Sequence, residues 1–227
     1  MIGAAISSAN FLRAFALSKC SFFLLSSMLT IHFEKERKQM NDTNVTLPRM
    51  GNTNTLILMV GLPGSGKSTL AKRLVIVDNL TKEESIPILH SSDDIRKELS
   101  GDAANQKINR LVFKTLHERV AKDLSVGEDV IVDATNLTVR DRAKYVAIAK
   151  NTKNQQGRKP RVVVLVMMTS YAESLRRNNA RNRVVPEYAM QRMNERFEFP
   201  NVIDEEFESV GVYLENKKGY TINFINF

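Results

Sequence analysis

The chain has 227 residues, 43% of them apolar and 26% charged, and its 33 Lys and Arg outnumber its 25 Asp and Glu to leave a net charge of +8. That length and an ordinary charge fraction suit one α/β core, and the positive balance favours a polyanionic ligand, whether nucleic acid or ATP with a small acidic substrate. A single cysteine, Cys20, excludes an internal disulfide, and His32, His90 and His117 lie too far apart in sequence to suggest a Cys–His metal cluster.

Up to Phe33 there is no acidic residue; Arg13 and Lys19 are the only charges, and Cys20 to Ile31 is largely apolar. Three readings stand: a start of translation at Met40 or Met50, a transit or membrane-associating leader, and a secretion signal, for which the apolar stretch would be the core. The stretch is shorter than the roughly 20 residues a membrane span needs, so no stable membrane partner is expected. The expected location is the cytoplasm, or an organelle if residues 1–33 are a transit peptide. A polar linker follows, and the division expected is an extension over residues 1–52 and a domain over 53–227.

Thr55 to Val60 is an apolar run that reads as a strand, and behind it stands GLPGSGKST. This is the G-x-x-x-x-G-K-[ST] phosphate loop: Gly61, Leu62, Pro63, Gly64, Ser65, Gly66, Lys67, Ser68 and Thr69. Its backbone N–H groups can turn toward phosphate oxygens only where bulky side chains are missing. Lys67 would reach the β- and γ-phosphates of ATP, and the Ser68 hydroxyl would hold Mg²⁺. Leu70, Ala71 and Leu74 then mark a helix whose N-terminus faces the anion.

Ile86 to His90 reads as a second strand and ends in SSDDIR, Ser91 to Arg96. Ligands of open α/β sheets bind outside the strand ends, so Asp93 or Asp94 could take the proton of an attacking hydroxyl. Either could instead cap the helix suggested by Ile95 to Leu99. Arg96, one turn beyond Asp93, could hold a phosphate of the acceptor. Asn105 to Leu124 is a long helix with Ile108, Leu111, Val112, Leu116 and Val120 on one face.

Asp129 to Val132 is a third strand, closed by Asp133, which either approaches hydrated Mg²⁺ or bonds Ser68 or the next helix for packing. Thr135 and Asn136 read as turn and cap residues. Val139 to Lys150 is helical, Arg161 to Met168 a fourth strand, Ala172 to Asn179 and Glu187 to Phe197 helices, and Val210 to Leu214 a last strand. In RRNNARNRVVP, Arg177 and Arg181 are spaced to share a helix face, with Arg183 following. They could close over ATP and neutralise developing charge, or form a solvated basic face. Apolar strands alternating with helices imply a doubly wound parallel sheet flanked by helices, a P-loop NTPase fold, with a small helical Arg-bearing lid.

The order GLPGSGKST, SSDDIR, VIVDATNLTVRDR, RNNARNRVVPEYAMQRM and FEFP resembles the AAA-type P-loop kinases related to phage polynucleotide 5′-kinase, over about residues 55 to 215. The resemblance implies that Lys67 and Ser68 bind phosphates and Mg²⁺, and that Asp93 is the general base with Arg96 touching the acceptor phosphate. It makes Arg177 and Arg181 lid residues, the latter contacting the transition state, and Asp133 the carboxylate near the metal. No phosphatase domain follows, so a kinase module alone is expected. The leading expectation is transfer of the ATP γ-phosphoryl group to a hydroxyl acceptor, foremost a nucleic-acid 5′ end. Alternatives are a small-molecule kinase with the same site and an ATPase or ATP-dependent switch without an acceptor. The choice of ATP over GTP and the oligomeric state have no sequence signal.

Overall fold

The computed structural model describes residues 53–81, 86–216 and 219–225; the leader and most of the linker lie outside them. In chain order the elements are β1 (Thr55–Val60), α1 (Lys67–Thr81), β2 (Ile88–Ser91), α2 (Ser92–Ser100), a 3₁₀ turn (Gln106–Ile108), α3 (Asn109–Val126), β3 (Val130–Asp133), α4 (Val139–Asn151), β4 (Arg161–Met167), α5 (Tyr171–Asn179), α6 (Glu187–Glu195), α7 (Val202–Glu205), β5 (Ser209–Asn216) and β6 (Gly219–Ile225). The sheet runs β2-β3-β1-β4-β5-β6. The first five strands are parallel and β6 returns antiparallel on β5.

Strands β1, β3 and β4 are apolar at almost every position because both faces of the sheet are covered. Side chains alternate across the pleat. Thus Leu56, Leu58 and Val60 pack with Val112, Leu116, Val120 and Tyr145 on one face, while Ile57 and Met59 meet Leu70, Ala71 and Leu74 of α1 on the other. A third, smaller cluster joins Leu62 of the phosphate loop to Leu137 and Met190.

Three expectations change in detail. The buried stripe of α3 is Val112, Leu116, Val120 and Leu124, spaced by four, whereas Leu111 faces outward at 48% exposure. The helix after SSDD starts earlier than expected and is capped by Ser91, whose Oγ accepts from the Asp94 amide, so neither aspartate is the cap. Similarly, α4 is capped by Thr138 rather than Thr135 or Asn136. The short α7 and the strand β6 carry too few residues, or too mixed a pattern, to be marked by a sequence period. Among the described residues no helix is long and apolar enough to cross a membrane.

Candidate active site

The phosphate loop hangs between the end of β1 and the start of α1, and its shape is set by glycine. Gly61, Gly64 and Gly66 have φ of +153°, +80° and +97°, and the last two values are costly for any residue with a Cβ. At Gly64 space is also closed: a Cβ would collide with the Ser174 carbonyl oxygen and lie 3.0 Å from the Asn178 amide nitrogen, both on α5. Gly64→Ala should therefore destabilise the fold by more than the ~1–3 kcal/mol of left-handed strain. Gly101→Ala, at φ +74° with nothing within 4 Å, carries only the strain. Chemical denaturation of both variants separates collision from strain; equal losses would mean the α5 contact is immaterial.

Several loop groups are spent on holding the loop itself. The Gly61 amide donates to the Thr135 carbonyl at 3.1 Å and the Ser65 amide to the Leu62 carbonyl at 3.1 Å. The Thr169 hydroxyl donates to the Ser65 carbonyl at 2.9 Å, and the Leu62 side chain is buried in the third cluster. Asn136, at φ +47°, donates from Nδ2 to the Met59 carbonyl at 2.9 Å, tying the end of β3 to the end of β1. The amides of Lys67, Ser68 and Thr69, in the first turn of α1, have no intrahelical carbonyl to bond. These are the groups left to face an anion.

A cleft of about 770 Å³ opens over this loop. It is walled by Lys67, Ser68 and Thr69, by Asp93 and Arg96, by Asp133, and by Arg177, Arg181 and Arg183. Lys67 is 7% exposed and donates from Nζ to the Leu62 carbonyl at 2.7 Å. Burial pushes its ammonium down to about 8, Asp133 and Asp93 draw it back up, and Arg181 adds to the depression. At the end of β3, Asp133 is 8% exposed. Burial raises its carboxyl above the ordinary range, opposed by a hydrogen bond with Ser68 and by the Lys67 charge.

Asp93, in the first turn of α2, is held by two guanidinium groups. Arg96 Nη1 donates to its Oδ1 at 2.5 Å, and Arg183 Nη1 reaches the same oxygen at 2.8 Å. Arg96 is itself buried and donates to Asn109 Oδ1 at 2.9 Å, so most of its fork is engaged within the protein. Arg177 donates to Glu173 Oε1 at 2.6 Å, and its Nη1 would stand 3.9 Å from a methyl placed on Gly66. Helix α5 ends at Asn179, so Arg181 lies beyond it rather than on a shared helical face. The turn after α5, braced by two hydrogen bonds between the Asn178 side chain and the Val185 backbone, still brings Arg181 to the cleft.

The model of the family described as an AAA domain matches residues 56–200. The chain belongs to that family. Among solved structures, this AAA domain is similar to a chain of the Pnkp1/Rnl/Hen1 RNA repair complex at 22% identity and a TM-score of 0.52, with 65% of this chain and 45% of that one covered. It is also similar to Chaetomium thermophilum Kti12 in complex with ADP-AlF3, at 21% identity and a TM-score of 0.54, with 69% and 87% covered. The AAA domain thus spans less than half of the RNA repair chain that it matches. At these identities the likeness is one of fold, and the fold is the P-loop one, in which the loop after β1 binds nucleotide phosphates.

Of the residues expected at the site, Pro63, Gly64, Gly66, Lys67, Ser68, Thr69, Asp93, Arg96, Asp133, Arg177 and Arg181 share one cleft, whereas Gly61, Leu62 and Ser65 do not line it. Leu62 and Ser65 are buried and Gly61 bonds Thr135, so these three shape the loop from behind. Sequence reasoning missed the pairing of Arg183 with Asp93, the Asn109 brace behind Arg96 and the Asn136 tether. For Arg183 the signal was present, as it belongs to the same arginine cluster. The other two are amides whose partners lie on distant segments, which no local pattern announces.

Proposed function

We propose that this AAA domain is an ATP-dependent phosphotransferase that moves the γ-phosphoryl group to a hydroxyl, foremost a polynucleotide 5′-OH. The observation that carries this reading is Asp93, a carboxylate fixed by Arg96 and Arg183 across the cleft from Lys67. A simple nucleotide switch has no use for such a base. The acceptor oxygen bonds to the γ-phosphorus as the bond from phosphorus to the β-bridging oxygen breaks, and the hydroxyl proton passes to Asp93, releasing ADP. Both arginines engage Oδ1, which leaves Oδ2 for the proton. Lys67, the first-turn amides of α1, and Arg177 and Arg181 bind and neutralise the phosphates.

Mg²⁺ fits the remaining pair. Ser68 and Asp133 would hold it, since an almost buried carboxylate with a raised proton affinity gains from a dication beside it. When bound, the ion would supply positive charge to neutralise the phosphates. Lys67 supplies a pH signature. Its ammonium loses its proton near pH 8 in the free protein, and phosphates restore the charge. Nucleotide binding should then take up close to one proton between about pH 8 and the ordinary lysine value of about 10.4, and affinity should fall as pH rises across that window. Calorimetry at pH 9 in buffers of different ionisation heat reads this uptake. Lys67→Arg should abolish it; uptake that persists would exclude Lys67 as its source.

The test of the function is transfer of labelled γ-phosphate by the full chain in Mg²⁺, offered a 5′-OH oligonucleotide beside a pool of small hydroxyl compounds, with Lys67→Ala as blank. Label on the oligonucleotide end is the expected result. Label on a small molecule alone would keep the mechanism and overturn the acceptor, and release as free phosphate alone would overturn phosphotransfer.

A further inference from the structure

A second groove, of about 820 Å³, lies against the first. The two share Asn109, Phe113, Thr135, Ala189 and Met193 in their walls, so one runs into the other. The second is bounded by α3, α4 and α6 and its rim is basic: Arg110 and Lys114 on α3, Lys144 on α4, Arg192 and Arg196 at the end of α6, against Glu118 and Asp141 of the opposite sign. All five cations are exposed residues. Lys114 is 3.8 Å from Glu118, and Arg192 stacks over the Tyr188 ring at 5.1 Å.

Beneath the cations runs a row of rings. Phe113 and His117 have centroids 6.3 Å apart, and His117 meets Tyr145 edge-on at 4.9 Å. Two polar atoms in this row are buried without a hydrogen-bond partner, the Tyr145 hydroxyl and His117 Nε2, and Tyr145 is 1% exposed. An unsatisfied buried donor or acceptor is costly, and here both occur on the wall of a groove that an anion would enter. The first cleft, within the roughly 300–1,000 Å³ of small-ligand pockets, is shared by the donor phosphates and the reacting end of the acceptor. Filling both spaces takes an extended ligand with repeated negative charge and hydrogen-bonding rings.

We infer that the groove between α3, α4 and α6 is the binding track for a single-stranded polynucleotide acceptor. The 5′-terminal nucleotide lies in the phosphate-loop cleft, and the nucleotides on its 3′ side run past Phe113 and Met193 into the groove. There Lys114, Lys144 and Arg192 contact backbone phosphates, which carry most of the affinity for a strand, and the Tyr145 hydroxyl and His117 Nε2 face a base or a ribose. This rests on the polynucleotide reading of the function above, and uses no residue of the phosphoryl-transfer machinery.

The experiment uses the full chain, its Lys144→Glu/Arg192→Glu variant and Tyr145→Phe. Transfer to 5′-OH acceptors of increasing length, from a nucleoside 3′-monophosphate to a hexanucleotide, is measured beside fluorescence anisotropy of a labelled hexanucleotide. Wild-type kcat/KM should rise with length until the groove is filled. The double charge reversal should flatten that rise, leave the monophosphate unaffected, weaken hexanucleotide binding about tenfold, and lower the slope of log affinity against log salt by about 0.7 for each phosphate contact removed. Tyr145→Phe, which keeps the ring and the packing, should weaken the longer acceptors alone. Transfer that is independent of length, or equally length-dependent in the double variant, overturns the track and leaves the kinase reading standing. Hexanucleotide binding that weakens in the variant while no acceptor is ever labelled supports the track and overturns the kinase reading. A protein that neither binds nor labels the hexanucleotide overturns both the track and the polynucleotide acceptor.

Discussion

Asp93→Asn is expected to lower phosphoryl transfer by about 10²–10⁴-fold, the usual contribution of a positioned general base, while nucleotide binding stays nearly unchanged. The substitution is close to isosteric, and an amide oxygen can still accept from Arg96 and Arg183, which hold the present carboxylate at 2.5 and 2.8 Å. What is lost is the ability to take a proton. The effect should therefore fall on kcat, with KM for ATP within about twofold, because a group that acts in the transition state alone leaves ground-state binding intact. Lys67→Ala is the contrast, since it removes the cation at the phosphates and should impair binding as well. Single-turnover transfer and equilibrium nucleotide binding, measured on the same protein, separate the two. Retained transfer in Asp93→Asn would remove this carboxylate from the chemistry.

The largest effect on stability is expected at Arg142. Its side chain is wholly buried, makes a two-pronged salt bridge to Glu205 at 2.7 and 2.8 Å, and donates from Nη1 to the Asn136 and Leu137 carbonyls at 3.1 Å each. Glu205 in turn accepts from the Asn201 amide at 3.0 Å. Arg142→Ala leaves Glu205 a buried, unpaired carboxylate and frees two loop carbonyls, which costs about 3–5 kcal/mol. That is a large share of the roughly 5–15 kcal/mol that holds a typical domain together. Replacing both partners, Arg142→Met with Glu205→Leu, should recover most of the loss, because a desolvated pair is close to neutral against apolar residues of similar volume. The double variant still loses the anchor of the segment after Asp133, so transfer should recover less than stability does. Denaturant midpoints of the three proteins decide this. An unchanged midpoint in Arg142→Ala would mean that water replaces the guanidinium without loss.

Much of this molecule was legible in one dimension. The strand before the phosphate loop, the helix after it and the parallel sheet follow from near-continuous apolar runs separated by helical patterns, because a strand covered on both faces leaves no polar alternation. The phosphate loop could be read residue by residue because backbone conformations near Gly64 and Gly66 admit almost nothing else, and that constraint is local. Asp133 stood out because a carboxylate closing a buried strand needs a partner, and Asp93 and Asp94 because ligands of open α/β sheets bind outside the strand ends.

Choosing among partners was beyond the local pattern. Whether Asp93 capped its helix depended on Ser91 doing so instead, and the identity of the arginine that completes its site depended on how the chain turns after α5. Arg142 and Glu205 sit 63 positions apart and meet only when α7 packs on α4. Nor does any sequence period mark the groove of cations and rings, to which α3 gives Arg110, Phe113, Lys114 and His117, α4 gives Lys144 and Tyr145, and α6 gives Arg192. Helix period and strand alternation report which side of an element is buried, and they carry no information on which distant element buries it. The sequence by itself determined that this chain has a P-loop sheet and a phosphate-binding turn; the tertiary structure alone decided which charges face one another across it, because ion pairs and clefts form between segments whose approach is set by packing.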